Sequence, residues 1–416
     1  MKTGGGRPIF LLLGQVVASL LAFVSSPIVA RMLGAGGRGL VVSVSAAGFL
    51  MSVVLALGVP QEVRRSAAVG SKAAALATAR RYAVISILPA VCIAAALVLV
   101  LYRGLDLGTE VAVFCSLASA PLFISWMSDQ GFLLATGRFR SVMILQFTSP
   151  GLYLLAVCAM IVFNQTGVSQ VLWAGTAGQI LMAIVARVLA GRVANRGPSV
   201  LRLIRSSAGY SVAAIAEALS MRAPVVLAFV LIGANESGLL SIGVTIMALT
   251  PILAQTIASA YFPTVARSLD GGVLDKVFSE TSAVAIASSL MLALLTPIAV
   301  PFLFGEQFSA SVLSAVICVV AAVPLMIGFA GTSMLTARNM GRQSSRAQVV
   351  GFGVQAGAMF ALQSFGAVGA ATALFLGFTT QAFLGLRALN VSLWTILPRR
   401  AAFIGAVRTA LGGIGS

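Results

Sequence analysis

Residues 211–239 read S-V-A-A-I-A-E-A-L-S-M-R-A-P-V-V-L-A-F-V-L-I-G-A-N-E-S-G-L, a stretch long enough to cross a bilayer that nevertheless holds Glu217 and Arg222, with Pro224 just beyond. An ionisable side chain at membrane depth costs at least ~2.5–3.5 kcal/mol on insertion scales, so it faces a bundle interior or a watery cavity rather than lipid. The two charges do not pair along one helix. Five positions place them about 140° apart around the axis, and only side chains three or four apart are neighbours. Each therefore looks to another helix or to a cavity.

The rest of the chain has the same character. Hydrophobic residues make up 59% and charged residues 9%, with a mean hydropathy of +1.04. A soluble domain carries about 25% charged residues, so this chain cannot cover its surface with charge. Apolar runs of about 20 residues, each matched to a ~30 Å hydrocarbon core, recur throughout, and the short alternating segments of a transmembrane β-barrel are absent. The reading is an all-α polytopic membrane protein. We expect twelve spans, at 9–30, 40–59, 82–101, 111–134, 142–163, 171–189, 211–232, 239–261, 282–304, 312–330, 349–365 and 370–386. The first apolar run exceeds the ~7–15 residues of a signal-peptide core and is kept as a span. Residues 388–416 are read as a cytoplasmic or interfacial tail.

A net charge of +17 could suggest nucleic acid. With the N-terminus inside, however, 23 of the 27 Lys and Arg fall on the cytoplasmic side, the distribution of a plasma-membrane protein with both termini cytoplasmic. The exceptions are Arg31, Arg38 and Arg103 outside and Arg222 within the membrane. Cys92, Cys115, Cys158 and Cys318 all lie in apolar runs and read as small buried hydrophobes. There is no His, so a histidine relay or a His-ligated metal is excluded, and no metal or cofactor is expected. No catalytic constellation is present, and the outer loops are short. We expect no enzyme, although a membrane-embedded glycan polymerase or ligase remains an alternative that a larger outer loop would have favoured.

The halves echo each other. Gly34, Ala35, Gly39 and Leu40 match Gly233, Ala234, Gly238 and Leu239 at a constant offset of 199. Pro60-x-x-x-Arg64 echoes Pro263-x-x-x-Arg267, and Gly137-Arg138 echoes Gly341-Arg342. Six spans per half preserve orientation, so the repeat is parallel. The expected organisation is an N-lobe at 1–190, a basic linker at 191–207, a C-lobe at 208–387 and the tail.

Ordered motifs carry a resemblance. Val29-Ala-Arg31-Met-Leu33-Gly34-Ala-Gly-Gly-Arg38-Gly39, Phe262-Pro263-Thr-Val-Ala266-Arg267, Phe304-Gly305-Glu306-Gln-Phe308 and Phe365-Gly366-Ala-Val-Gly369-Ala370 resemble segments of the polysaccharide flippase branch of the MOP exporter superfamily. The resemblance implies two pseudo-symmetric six-helix lobes around a central cavity that opens alternately to each side. It implies a polyprenyl-linked oligosaccharide or polysaccharide precursor as substrate, flipped from inner to outer leaflet, with glycan-assembly proteins and anionic membrane lipids as partners. A cation-coupled small-molecule exporter of the same fold is the runner-up. Such exporters typically use acidic residues in the first span or in several C-lobe helices, and this first span has none. A lipid II flippase of the superfamily more often has fourteen spans.

On this reading Arg222 contacts phosphate or anionic sugar, or else is neutralised by a structural partner. Glu217 is an ion- or proton-coupling site, or that partner. Asp129 reads as a solvated edge residue, with ion coupling as the alternative. Arg31 and Arg38 guide a headgroup at the outer gate, or cap helices and meet lipid phosphate. Gln15 and Gln255 line a cavity, or hydrogen-bond between helices.

Overall fold

A computed structural model of the chain describes residues 9–69, 74–193, 197–267 and 271–396. Among these there is no strand, and the helices run α1 (Ile9–Ala56), α2 (Val59–Ala68), α3 (Ala74–Ile85), α4 (Ile87–Leu101), α5 (Leu107–Ala118), α6 (Ala120–Ala135), α7 (Phe139–Val162), α8 (Val168–Ala190), α9 (Val200–Met247), α10 (Pro251–Arg267), α11 (Gly271–Ala299), α12 (Val312–Ala337), α13 (Gly341–Ala361) and α14 (Gly366–Ala388). This is a multi-pass membrane protein. By length and composition, eight helical stretches can cross a membrane, or nine if the bent pair α3–α4 is one span.

That number differs from twelve for identifiable reasons. α1 merges the first two expected spans and α9 merges the span 211–232 with the start of 239–261, each through one non-helical residue: Gly34 at φ 68°, ψ −176° and Gly233 at φ 87°, ψ 172°. Only glycine occupies that backbone region freely, and a single such residue lets the chain reverse without a loop. α10 is short, at 17 residues, and α13 opens with the polar run Arg342-Gln-Ser-Ser-Arg346, so neither is among the eight. The expected 61–81 connection is also helical in part. Its α2 buries Val59, Val63 and Ala67 along one face, while Glu62 clamps Arg65 at 3.0 Å and Ser66 at 2.9 Å.

The chain divides into two compact units, Met1–Ala218 and Leu219–Ser416, with the boundary inside α9. Within the first unit, the opening turns of α9 press on the α1–α2 corner. A side chain at Gly58 would meet the Ser207 carbonyl oxygen at 2.6 Å. The core of this unit joins Val59, Val63, Leu76, Ala79, Tyr82 and Ile124 to Ala190 and Leu203. In the second unit, one core packs Ala228 and Leu240 against Cys318, Leu325, Leu374 and Phe378, and another joins Val265, Phe278, Met334 and Leu386.

The internal repeat is written in the backbone. Among the described residues, ten of the twelve positive-φ positions pair across the halves, as Gly34 with Gly233, Gly104 with Gly305, Gly137 with Asn339, Asn164 with Gly366 and Gly191 with Asn390, at offsets between 199 and 202, while Leu57 and Gly58 have no such counterpart. Each lies at the end of a helix or at a helix break. The third pair corrects the echo of Gly137-Arg138 with Gly341-Arg342. The Arg138 N–H donates to the Leu133 carbonyl and the Met340 N–H to that of Leu335, so the same helix ending recurs two residues earlier than the letters suggested. Asn tolerates the left-handed conformation, and Asn339 does there what Gly137 does in the first unit.

Candidate functional site

The first half of α9 carries the two charges from which the sequence reading began. Arg222 lies eleven residues before the break at Gly233, about 16 Å along the axis, and Glu217 about 24 Å before it. In a ~30 Å hydrocarbon core the first distance is close to the midplane. Both side chains are exposed at the surface of α9. Among the described residues Glu217 makes no hydrogen bond or ion pair. Pro224 removes a backbone donor within α9 without ending the helix. Just before it, the Ser220 hydroxyl donates to the Gln348 carbonyl on α13.

The other expected site residues have different settings. Asp129 is not a solvated edge residue. It is 0% exposed, and its Oδ1 accepts Arg80 Nε at 3.0 Å and Nη2 at 2.7 Å. Arg80 Nη1 donates at 3.1 Å to the carbonyl of Gly191, which closes α8. One guanidinium thus joins α3, α6 and the end of α8.

Arg38 is 2% exposed and reaches back across the Gly34 break, donating to the Ser26 carbonyl at 2.7 Å and the Ser26 hydroxyl at 2.9 Å. In the second unit, Ser237 donates to the Val225 carbonyl over the same twelve-residue span. Both positions staple the two arms of a broken helix together, and in the first unit the staple is charged. Arg31, on the other side of the break, is exposed.

Gln15 is half-buried on α1, beside Gly14, whose missing side chain lets α7 approach at Met143 and Gln146. Gln255 is half-buried on α10. No cluster of three or more metal-ligating side chains occurs among the described residues.

With this geometry in view, the comparisons with known proteins fall into place. The sequence profile of the family described as "Polysaccharide biosynthesis protein" matches residues 8–269. The chain belongs to this family. No curated protein matches it in sequence. Its fold is similar to that of a MATE protein solved in complex with MaL6, at 13% identity over 98% of this chain and 96% of that one, with a TM-score of 0.63. It is equally similar to the inward-facing conformation of a multidrug resistance MATE family transporter of the MOP superfamily, at 13% identity, 97% and 99% coverage and a TM-score of 0.63. A MOP superfamily transporter from Pyrococcus furiosus, described by a binding pocket of reverse polarity, follows at 15% identity, 96% and 94% coverage and a TM-score of 0.53. At such identities the likeness is one of fold, and it extends over the whole chain. The resemblance read from the loop motifs agrees with the matched polysaccharide family, and the protein has the fold of these transporters.

For this family member the sequence reading missed two polar positions. Glu236 accepts the Ala367 N–H at 2.7 Å, which sets a carboxylate on the first turn of α14. Anions are stabilised at helix N-termini by the unpaired N–H groups and the macrodipole. The counterpart 199 residues earlier, Gly37, abuts Val168 at the start of α8. The other is Arg80, which the sequence analysis counted only as a loop charge. A buried carboxylate on α6 needing a cation was the available signal, but nothing in the spacing names the partner 49 residues away.

Proposed function

We propose that the protein flips a polyprenyl-linked oligosaccharide or polysaccharide precursor from the inner to the outer leaflet by alternating access, and that Arg222 receives the anionic headgroup. The observation that carries this reading is an exposed guanidinium at midplane depth on a membrane-spanning arm of α9. Lipid does not tolerate such a group, and a phosphate or pyrophosphate would complement it. Position supports the assignment as well. Counted from the break glycines, Arg222 corresponds to Phe23 in the first unit, so the repeat's architecture does not require a cation there. The basic ends of the spans support cytoplasmic termini in the plasma membrane under the positive-inside rule.

A second reading is a cation-coupled exporter of small molecules, in which the unpaired Glu217 carboxylate carries the coupling ion. Translocation of a fluorescent polyprenyl-linked oligosaccharide between leaflets of proteoliposomes separates the two. The flippase reading predicts transfer above that of empty vesicles, lost in Arg222→Ala and retained in part in Arg222→Lys, with unchanged thermal stability. No transfer by the wild type, alongside drug efflux that depends on Glu217, would establish the second reading instead.

A further inference from the structure

The first unit has a second basic feature that transport does not require. A cavity of about 460 Å³ opens at the end of α8, lined by Arg80, Arg187, Val188, Gly191, Arg192 and Val193. This volume is in the ~300–1,000 Å³ range of ligand sites. Three guanidinium groups converge on it, and their charges are not equally committed. Arg80 is turned inward onto Asp129 and the Gly191 carbonyl. Arg187 and Arg192 are exposed and form no ion pair among the described residues. Asp129, beneath the cavity, is already bound by Arg80, so the mouth keeps an excess of positive charge.

What lies beside the cavity indicates the ligand. α8 shows an apolar stripe to the exterior through Trp173, Ile180, Ile184 and Val188, at intervals of seven, four and four residues, which is one face of a helix. The stripe ends at the cavity, where Val188 is 73% exposed and is itself a lining residue. A soluble phosphate would use the guanidinium groups and ignore the stripe. A lipid would use both, with its acyl chains along Ile180 and Ile184 and its phosphate at Arg187 and Arg192.

We infer that the arginine cavity at the end of α8 is a binding site for the headgroup of an anionic phospholipid in the leaflet on the arginine-bearing side. Basic pockets between membrane helices suit acidic headgroups, and arginine adds bidentate hydrogen bonds to phosphate. A zwitterionic headgroup carries a quaternary ammonium that the same cations repel. Arg80, held by Asp129, forms the back wall, and the two exposed arginines close on the ligand. This inference does not depend on what the protein transports.

Native mass spectrometry of the full chain in detergent, supplied with phosphatidylglycerol or phosphatidylcholine, tests it. Phosphatidylglycerol is expected to stay bound where phosphatidylcholine is lost. The double variant R187Q/R192Q should weaken its retention about 30-fold, from two basic groups near the headgroup, whereas R187K/R192K should keep most of it. Val188→Glu, which removes neither arginine but sets a carboxylate at the mouth, should weaken retention as well and guards against a folding defect in the double variant. Equal retention of the two lipids, or undiminished phosphatidylglycerol binding by R187Q/R192Q and by Val188→Glu, would overturn the inference. So would displacement of the lipid by inorganic phosphate at matching concentration, which would mark a free-phosphate site.

Discussion

Replacing Asp129 by Asn isolates the interaction that holds α3, α6 and the end of α8 together. The carboxylate has no exposed surface, and Oδ1 takes both Arg80 contacts, at 2.7 and 3.0 Å, while Oδ2 is buried without a partner. At about 3 Å and an effective dielectric of about 20, the pair attraction is on the order of 5 kcal/mol before desolvation. Desolvation of both ions offsets much of it, and an unsatisfied Oδ2 leaves the pair further from ideal. The net worth of the pair is therefore small, but the cost of breaking it is not. In D129N, Arg80 stays buried with its charge uncompensated, which costs about 3–5 kcal/mol. Replacing both partners with apolar residues, as in R80M/D129L, should cost far less than either single change. Reversible unfolding in mixed micelles of the wild type, D129N, R80M and R80M/D129L gives the coupling directly. We expect D129N and R80M each to lose about 3 kcal/mol or more, with a coupling above about 2 kcal/mol. Amide exchange should rise first near Gly191, whose carbonyl Arg80 holds. A D129N protein within about 0.5 kcal/mol of wild type, or strict additivity of the single changes, would refute the account.

Gly34→Ala and Gly233→Ala should each destabilise by about 1–3 kcal/mol, because the penalty is in the backbone conformation and no atom lies within 4 Å of the added carbon. Gly353→Ala is the control: it is helical, equally uncrowded and without a positive φ, so unfolding midpoints should show a gain of about 0.5–1 kcal/mol. Glu236→Ala should cost about 0.5–2 kcal/mol as a lost helix cap and speed exchange of the Ala367 amide, with Glu236→Gln intermediate. The carboxyl of Asp106 is held below the usual aspartate range by its hydrogen bonds from Thr109. Its contribution is therefore present above the unfolded pKa of about 3.9 and lost only as pH falls through the lower folded value. Exchange at Thr109 should stay slow at pH 4, accelerate in stronger acid and be fast throughout in Asp106→Ala.

Composition was enough for the class, because a chain with so few charges has no soluble alternative. The turn glycines at 34 and 233 were also legible, since both stand in polar interruptions of apolar runs. Their economy was not: loops at 31–39 and 233–238 were expected, and one residue with positive φ suffices because the helices on both sides continue to within a residue of it. Helices α2 and α3 were hidden in a nominal loop because their lengths, 10 and 12 residues, are below a membrane span and their arginines look like loop charge. The site was legible where it depends on one residue and hidden where it depends on two. Arg222 stands out in any hydropathy reading. Asp129 was misjudged because solvation depends on a partner from α3, and Arg38 could not be seen as a staple without the return of the chain at Gly34.

Comparison of the two units separates what the repeat preserves from what it leaves free. The left-handed residues recur at near-constant offset, so helix ends and reversals are shared. The charged positions are not. Arg38 corresponds to Ser237, Gly37 to Glu236 and Phe23 to Arg222 at the offset of the break glycines. At the offset of the α6 and α12 ends, Asp129 corresponds to Gly331, which lies 3.8 Å from the Gly385 Cα where a side chain would begin. One unit ties α6 to α3 there with an ion pair, and the other closes α12 on α14 with two glycines. Three of these four differences are a staple, a helix cap and a packing choice. Arg222 differs from its counterpart in exchanging an aromatic ring for a cation at midplane depth. Backbone geometry does not demand that exchange, and membrane insertion penalises it. The proposed headgroup contact would give this exchange a task, and transport by Arg222→Ala, measured alongside its stability, is the experiment on which the functional reading depends.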